Sequence, residues 1–175
     1  MVERVASPAV DPVDHSVEQW ATEWPDLDVS PMQVLARVHR VFNRYHAQIA
    51  RVFDDQGLNP AAFAVLAALF RSGPPYRLKV SELADQTLVS TGGMTQRLDR
   101  LEASGLIRRE RDRVDRRAVF AQLTEEGRRR ARAAAVAHFE HENRMLALLD
   151  TSQREQLAQA LRLLEESLAA AEPAR

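Results

Sequence analysis

Between residues 90 and 117 the chain gathers side chains suited to gripping a polyanion and reading an edge of it. Ser90-Thr91-Gly92-Gly93-Met94-Thr95-Gln96 places hydroxyls, an amide and two residues without bulk at one predicted helix start. Free backbone amides at a helix start bind phosphate. Gln matches the two-point edge of adenine, and a Thr methyl matches the methyl of thymine. At helical spacing Thr91, Thr95 and Gln96 fall where base edges are read, and Ser90, Gly92 and Arg100 complete the candidate DNA surface. The glycine pair lets the backbone sit close to a duplex, at a cost of about 1 kcal/mol per residue relative to Ala in a helix. Further on, Arg113, Arg116 and Arg117 stand in a short charged stretch. Their guanidinium groups suit the concentrated negative potential of a narrow minor groove. Pairing with Asp112 or Asp115 is the competing use, and one such pair is expected to brace the stretch.

Other chemistries find less support in the residues present. His138 and His141 lie three apart with Glu140 and Glu142 beside them, and His39 and His46 stand on an earlier helix, so a set of N and O metal ligands is one alternative. With no cysteine, the chain cannot form a disulfide, a thiolate metal site or a thiol nucleophile. There is no phosphate-cradling glycine loop, no Gly-x-Ser-x-Gly elbow and no paired catalytic motif, so an enzyme is not expected. No cofactor is implied. A winged-helix adaptor that binds protein in place of DNA is a further alternative, although an adaptor has no use for a basic face.

The elements that must position these groups follow from caps and apolar spacing. Residues 1–12 read as a loose tail, with a short helix from His15 to Trp24. Ser30-Pro31 is a helix start, and Val34, Leu35, Val38, Val41, Phe42, Tyr45, Ile49, Val52 and Phe53 hold an apolar stripe until Gly57. Asn59-Pro60 opens a second apolar helix, ended by Ser72-Gly73-Pro74-Pro75. A short helix over 80–88 and a turn lead to the helix capped by Ser90, in which Met94, Leu98 and Leu101 face a core and Gly105 is the stop. Residues 106–110 and 118–123 alternate apolar and polar side chains as two strands of a hairpin. Thr124 caps a long helix to about Leu149, and Ser152 with Glu155 predicts the capping box of the last helix. A helix pair followed by a hairpin is a winged helix-turn-helix, whose second helix enters the major groove. The fold class is mainly α with a small β-hairpin.

Composition agrees. The 175 residues are 45% hydrophobic and 28% charged, values of an ordinary globular chain. A net charge of -1 conceals an acidic start (-6 over residues 1–30), a basic middle (+6 over 71–132) and an acidic end (-3 over 133–175). Affinity for phosphates follows local cation density, so the middle is the polyanion-binding region. No apolar run approaches the ~18 residues of a membrane helix, and Glu3, Asp11 and Asp14 do not suit a targeting head, so a soluble, cytoplasmic protein is expected.

Leu101-Glu102-Ala103-Ser104-Gly105-Leu106-Ile107-Arg108-Arg109, Asp115-Arg116-Arg117 and Leu123-Thr124-Glu125-Glu126-Gly127 together resemble the signature of the MarR (multiple antibiotic resistance regulator) family of bacterial transcription regulators, over about residues 31 to 170. The resemblance implies a homodimer on a pseudo-palindromic operator, a ligand-responsive repressor whose first and last two long helices make a helical dimerisation domain. On that basis residues 1–13 are a flexible tail, 14–58 serve dimerisation and the ligand pocket, 59–123 are the DNA-binding lobe, and 124–175 are the C-terminal dimerisation helices. The added N-terminal helix, Pro25-Asp26-Leu27-Asp28 and the stretch from Arg71 to Leu78 resemble a PecS-like, urate-responsive subgroup. Carried over from that subgroup, Trp20, Arg97 and Arg109 are the ligand-binding residues. Ala64 stands where the subgroup has a carboxylate, which weighs against urate. Two guanidinium groups and an indole favour a planar or carboxylate-bearing anion, since an Arg fork holds a carboxylate at two points. The implied partners are therefore double-stranded DNA, a small anionic or aromatic effector and a second copy of the chain, with no membrane.

Overall fold

The computed structural model describes residues 11–87, 91–112 and 118–171. The chain divides after Arg51 into two compact units.

The N-terminal unit holds α1 (Pro12–Glu23) and most of α2 (Ser30–Asp54). Helix α1 starts at Pro12, earlier than the apolar pattern predicts, because Asp11 is its cap and accepts the Val13 N–H at 2.8 Å. The boundary expected at residue 13 thus falls inside a helix. Arg37 of α2 reaches Asp14 at 2.8 Å and Asp11 at 3.5 Å, fastening the two helices over the buried Val13. The Asp11 carboxyl is held below its ordinary range, first by the Val13 amide and then by Arg37 and Arg40. Ser30 lies inside α2, and its N–H is accepted by Asp28 at 2.9 Å.

The second unit is built on α3 (Pro60–Arg71), whose cap Asn59 accepts the Ala62 N–H at 2.8 Å. Next come β1 (Arg77–Lys79), α4 (Val80–Gln86), α5 (Thr91–Ala103), β2 (Ile107–Arg111) and β3 (Val119–Leu123). The sheet is antiparallel in the order β1-β3-β2, with Leu78 opposite Ala121 and Ile107 opposite Leu123. Two of its strands are the hairpin expected from the alternation; β1 is an addition. Val65, Leu66, Leu69, Leu83, Met94, Leu98 and Leu123 form the core between sheet and helices. Helix α5 ends through Gly105 at φ +69°, a left-handed C-terminal turn that a side chain would strain. Helix α6 (Glu125–Met145) begins at Thr124 as expected, its hydroxyl accepting the Gly127 N–H at 3.0 Å, but ends before Leu149. Helix α7 (Thr151–Ala170) is capped by Asp150 and Gln153 in a reciprocal box, in place of Ser152 and Glu155. No helix among the described residues is long and apolar enough to cross a membrane.

Candidate nucleic-acid interface

Helix α5 separates its residues by face. Met94, Leu98 and Leu101 are buried, while Gly92, Thr95, Gln96, Asp99 and Arg100 are exposed. Thr91 is the first residue of the helix. Ser90, Arg113, Arg116 and Arg117, the other members of the candidate DNA surface, lie outside the described residues. A Cβ built at Gly92 has no atom within 4 Å, and the backbone there is not left-handed. Among the described residues nothing therefore requires a glycine at this position.

Strand β2 is tied to α5 by Arg109. Its Nη1 lies 2.7 Å from Asp99, its Nη2 lies 2.6 Å from Glu102, and its backbone N–H donates to the other Glu102 oxygen at 2.8 Å. These bonds from the Arg109 side chain, and then from its amide, hold the Glu102 carboxyl below its ordinary range. The Glu102 carboxylate in turn raises the Arg109 guanidinium. One residue along, Arg108 donates to Gln122 across the strand pair at 2.9 Å, and Gln122 donates to the Pro75 carbonyl at 2.8 Å. The base of the hairpin is thus anchored to α5 on one side and to the loop after α3 on the other.

A cavity of about 810 Å³ opens beside α5, bordered by Gln96, Arg97 and Arg100, by Leu58 and Ala62 near the start of α3, and by Arg130 of α6. Arg130 is committed to the Gln56 carbonyl, and Glu126 on the same rim to Arg129. The side chains of Arg97 and Arg100 make no ion pair or hydrogen bond among the described residues, which leaves two guanidinium groups on a rim that also carries the Asp54 carboxylate. Such a rim over an apolar floor suits an amphipathic anion.

Of the three ligand-binding residues expected, only Arg97 lines this cavity. Arg109 is held by Asp99 and Glu102 instead. Trp20 belongs to the N-terminal unit, where it borders a cleft of about 300 Å³ with Gln19 and Met32. Ala64 sits half-buried on α3 and offers no polar atom beyond its backbone. Sequence reasoning missed Arg100 and Arg130 as cavity residues. For Arg100 the signal was present, since it lies three residues from Arg97 on the same helical face; the run Arg128-Arg129-Arg130 carried none. As for metal, His138 stacks on Phe53 at 5.4 Å and pairs with Glu142 at 3.2 Å, and His39 meets Asn43 at 2.9 Å. Among the described residues no three His, Asp or Glu side chains converge.

The MarR family's sequence model matches residues 56–118. The HTH-type transcriptional regulator PecS of Dickeya dadantii (strain 3937) is 35% identical over 156 residues, covering 89% of this chain and 94% of that protein. Among solved structures, AbsC, a MarR family transcriptional regulator from Streptomyces coelicolor, superposes with a TM-score of 0.72 at 29% identity, over 82% of this chain and 98% of that one. Sco3205 from the same organism, a MarR family regulator solved in complex with DNA, gives 0.72 at 24% identity over 85% and 95%, a likeness of fold.

Proposed function

This chain belongs to the MarR family of transcriptional regulators, DNA-binding winged helix-turn-helix proteins and not enzymes, and from that premise we propose that it is a homodimeric repressor released from its operator by a small carboxylate-bearing or planar anion. Residues 59–123 are the reading lobe, and 14–58 with 124–175 supply the dimer. Two lobes on one face of a duplex meet half-sites about 34 Å apart, so moving either lobe weakens both contacts together.

The observation that carries the reading is Gly92. A glycine in an exposed helix lowers helix stability, and no neighbour among the described residues and no backbone angle here asks for one. Absence of bulk is useful when something outside the chain comes close, and the first turn of α5 is where a duplex backbone would do so. Gly92→Ala is therefore expected to act in opposite directions on folding and on binding. The fold gains up to about 1 kcal/mol, while affinity for duplex DNA from the protein's own upstream region falls at least tenfold, the scale of about 1.4 kcal/mol. Melting and DNA titration of one preparation check both. A variant that binds as the parent does would remove α5 from the interface.

The effector reading is supported by the unpaired Arg97 and Arg100 on the cavity rim. Both stand on the helix that carries Gln96, so an anion held there acts on the reading element itself, and effector and DNA weaken each other reciprocally. In a thermal-shift series of carboxylates, urate and phenolic compounds, a ligand at a hundred times its Kd stabilises the parent by about 2.7 kcal/mol. The same compound is expected to leave Arg97→Ala unshifted and bound to DNA. Equal shifts in parent and variant would place the effector elsewhere.

A further inference from the structure

Arg109 spans two elements that, on the reading above, touch the same duplex. It leaves β2 at the position opposite Ala121, midway along the strand, and its guanidinium fork closes on two carboxylates three residues apart on α5. Asp99 is four residues from Thr95 and so continues the flank of α5 that carries that exposed side chain. The contact has four bonds, one of them from the Arg109 backbone, so it fixes the strand itself as well as the side chain.

Stability is a poor account of this arrangement. Asp99 is 56% exposed and Arg109 29% exposed at the side chain, and exposed ion pairs contribute little to folding. Function gives a better account. Two carboxylates on a helix that meets phosphate are repulsive unless neutralised, and a hairpin and a helix that read one sequence must keep a fixed spacing. We propose that Arg109 is a positioning residue for sequence reading: by gripping Asp99 and Glu102 it locks the hairpin to the flank of α5, so that helix and wing meet DNA as one rigid unit. The proposal rests on α5 being the reading helix. It gives Arg109 a role other than ligand binding.

The fork matters more than the charge, because a lysine ammonium, which keeps the backbone bond, cannot fork to two carboxylates in one plane. The test is selection from a random-sequence duplex pool by the full-length parent, Arg109→Lys, Asp99→Asn and the charge-free triple variant Arg109→Ala/Asp99→Asn/Glu102→Gln, each with its melting temperature recorded. Arg109→Lys keeps the local charge and is expected to bind unselected duplex about as the parent does at low salt. Its preference for the parent's selected sequence over a scrambled one falls at least about tenfold, the scale of one mismatched base pair. Asp99→Asn, which leaves the Glu102 arm in place, loses less. The triple variant, free of repulsive carboxylates, does not regain the preference. If Arg109→Lys or the triple variant selects the parent's sequence with the parent's discrimination, the proposal is overturned. If the parent selects no sequence, the reading of α5 itself is overturned.

Discussion

Gly127→Ala is expected to cost about 3 kcal/mol or more, because an added methyl there overpacks a joint that has no slack. A Cβ at Gly127 would stand 1.9 Å from the Leu106 carbonyl oxygen and 2.9 Å from its carbon, with the Leu123 side chain at 3.3 Å. The obstructing atom is backbone, and it is held from three sides. The Leu106 oxygen accepts the Thr124 N–H at 3.1 Å and the Thr124 hydroxyl at 3.2 Å, while the Leu106 N–H donates to Leu101 at 3.0 Å. Relief would require moving the end of α5, the start of β2 or the first turn of α6. For a chain of this size the loss corresponds to a fall in melting temperature of roughly 6–12 °C. A variant melting within 2 °C of the parent, on the order of a loss under 1 kcal/mol, would show that the joint can open. Gly92 makes the useful contrast. It is the same residue type in a helix of the same unit, yet among the described residues no atom lies near its Cβ position, and there alanine is expected to stabilise. One glycine is demanded from inside the fold and the other is not.

That contrast also marks what the sequence could disclose. Apolar spacing placed Met94, Leu98 and Leu101 in the core, because period and burial are one property in a helix packed on one side. Thr124 and Asn59 were legible as caps, since each directly precedes an apolar period. Asp11 and Asp150 were not: Asp11 before Pro12 carries the same signal as Asn59 before Pro60 but borders a stretch with little apolar period, and Ser152 competes as an equally good cap two residues after Asp150. Strand β1, three residues long, is too short for alternation to register, and its existence depends on pairing with β3. Arg109 shows the deeper limit. A guanidinium has the same chemistry facing an anionic ligand or two carboxylates, and Asp99 and Glu102 become its partners only when the turn at Gly105 folds β2 back along α5.

Replacing Leu157 and Leu161 together with Asp is expected to convert a dimer to monomers and, with them, to remove tight operator binding. Helix α7 runs for 20 residues without one buried residue. Its leucines at 157, 161, 164 and 168 recur at intervals of four, three and four, the seam of a helix that packs against another helix. Leu157, Leu161 and Leu168 are each more than 40% exposed in the single chain, and a stripe of that kind marks an interaction surface, which the proposed homodimer fills with a second copy. Because α7 adds nothing to the buried core of its unit, the substitutions leave the reading lobe able to fold. The loss is one of valence. Two linked lobes bind a two-part site about 10²- to 10⁴-fold more tightly than one lobe does, with no new contact, because the second binding event becomes intramolecular. Light scattering and DNA titration on the same sample separate the two halves of this argument. A variant that stays dimeric would clear α7 of the interface, whereas a monomer that binds as tightly as the parent would show that one lobe reads its site alone.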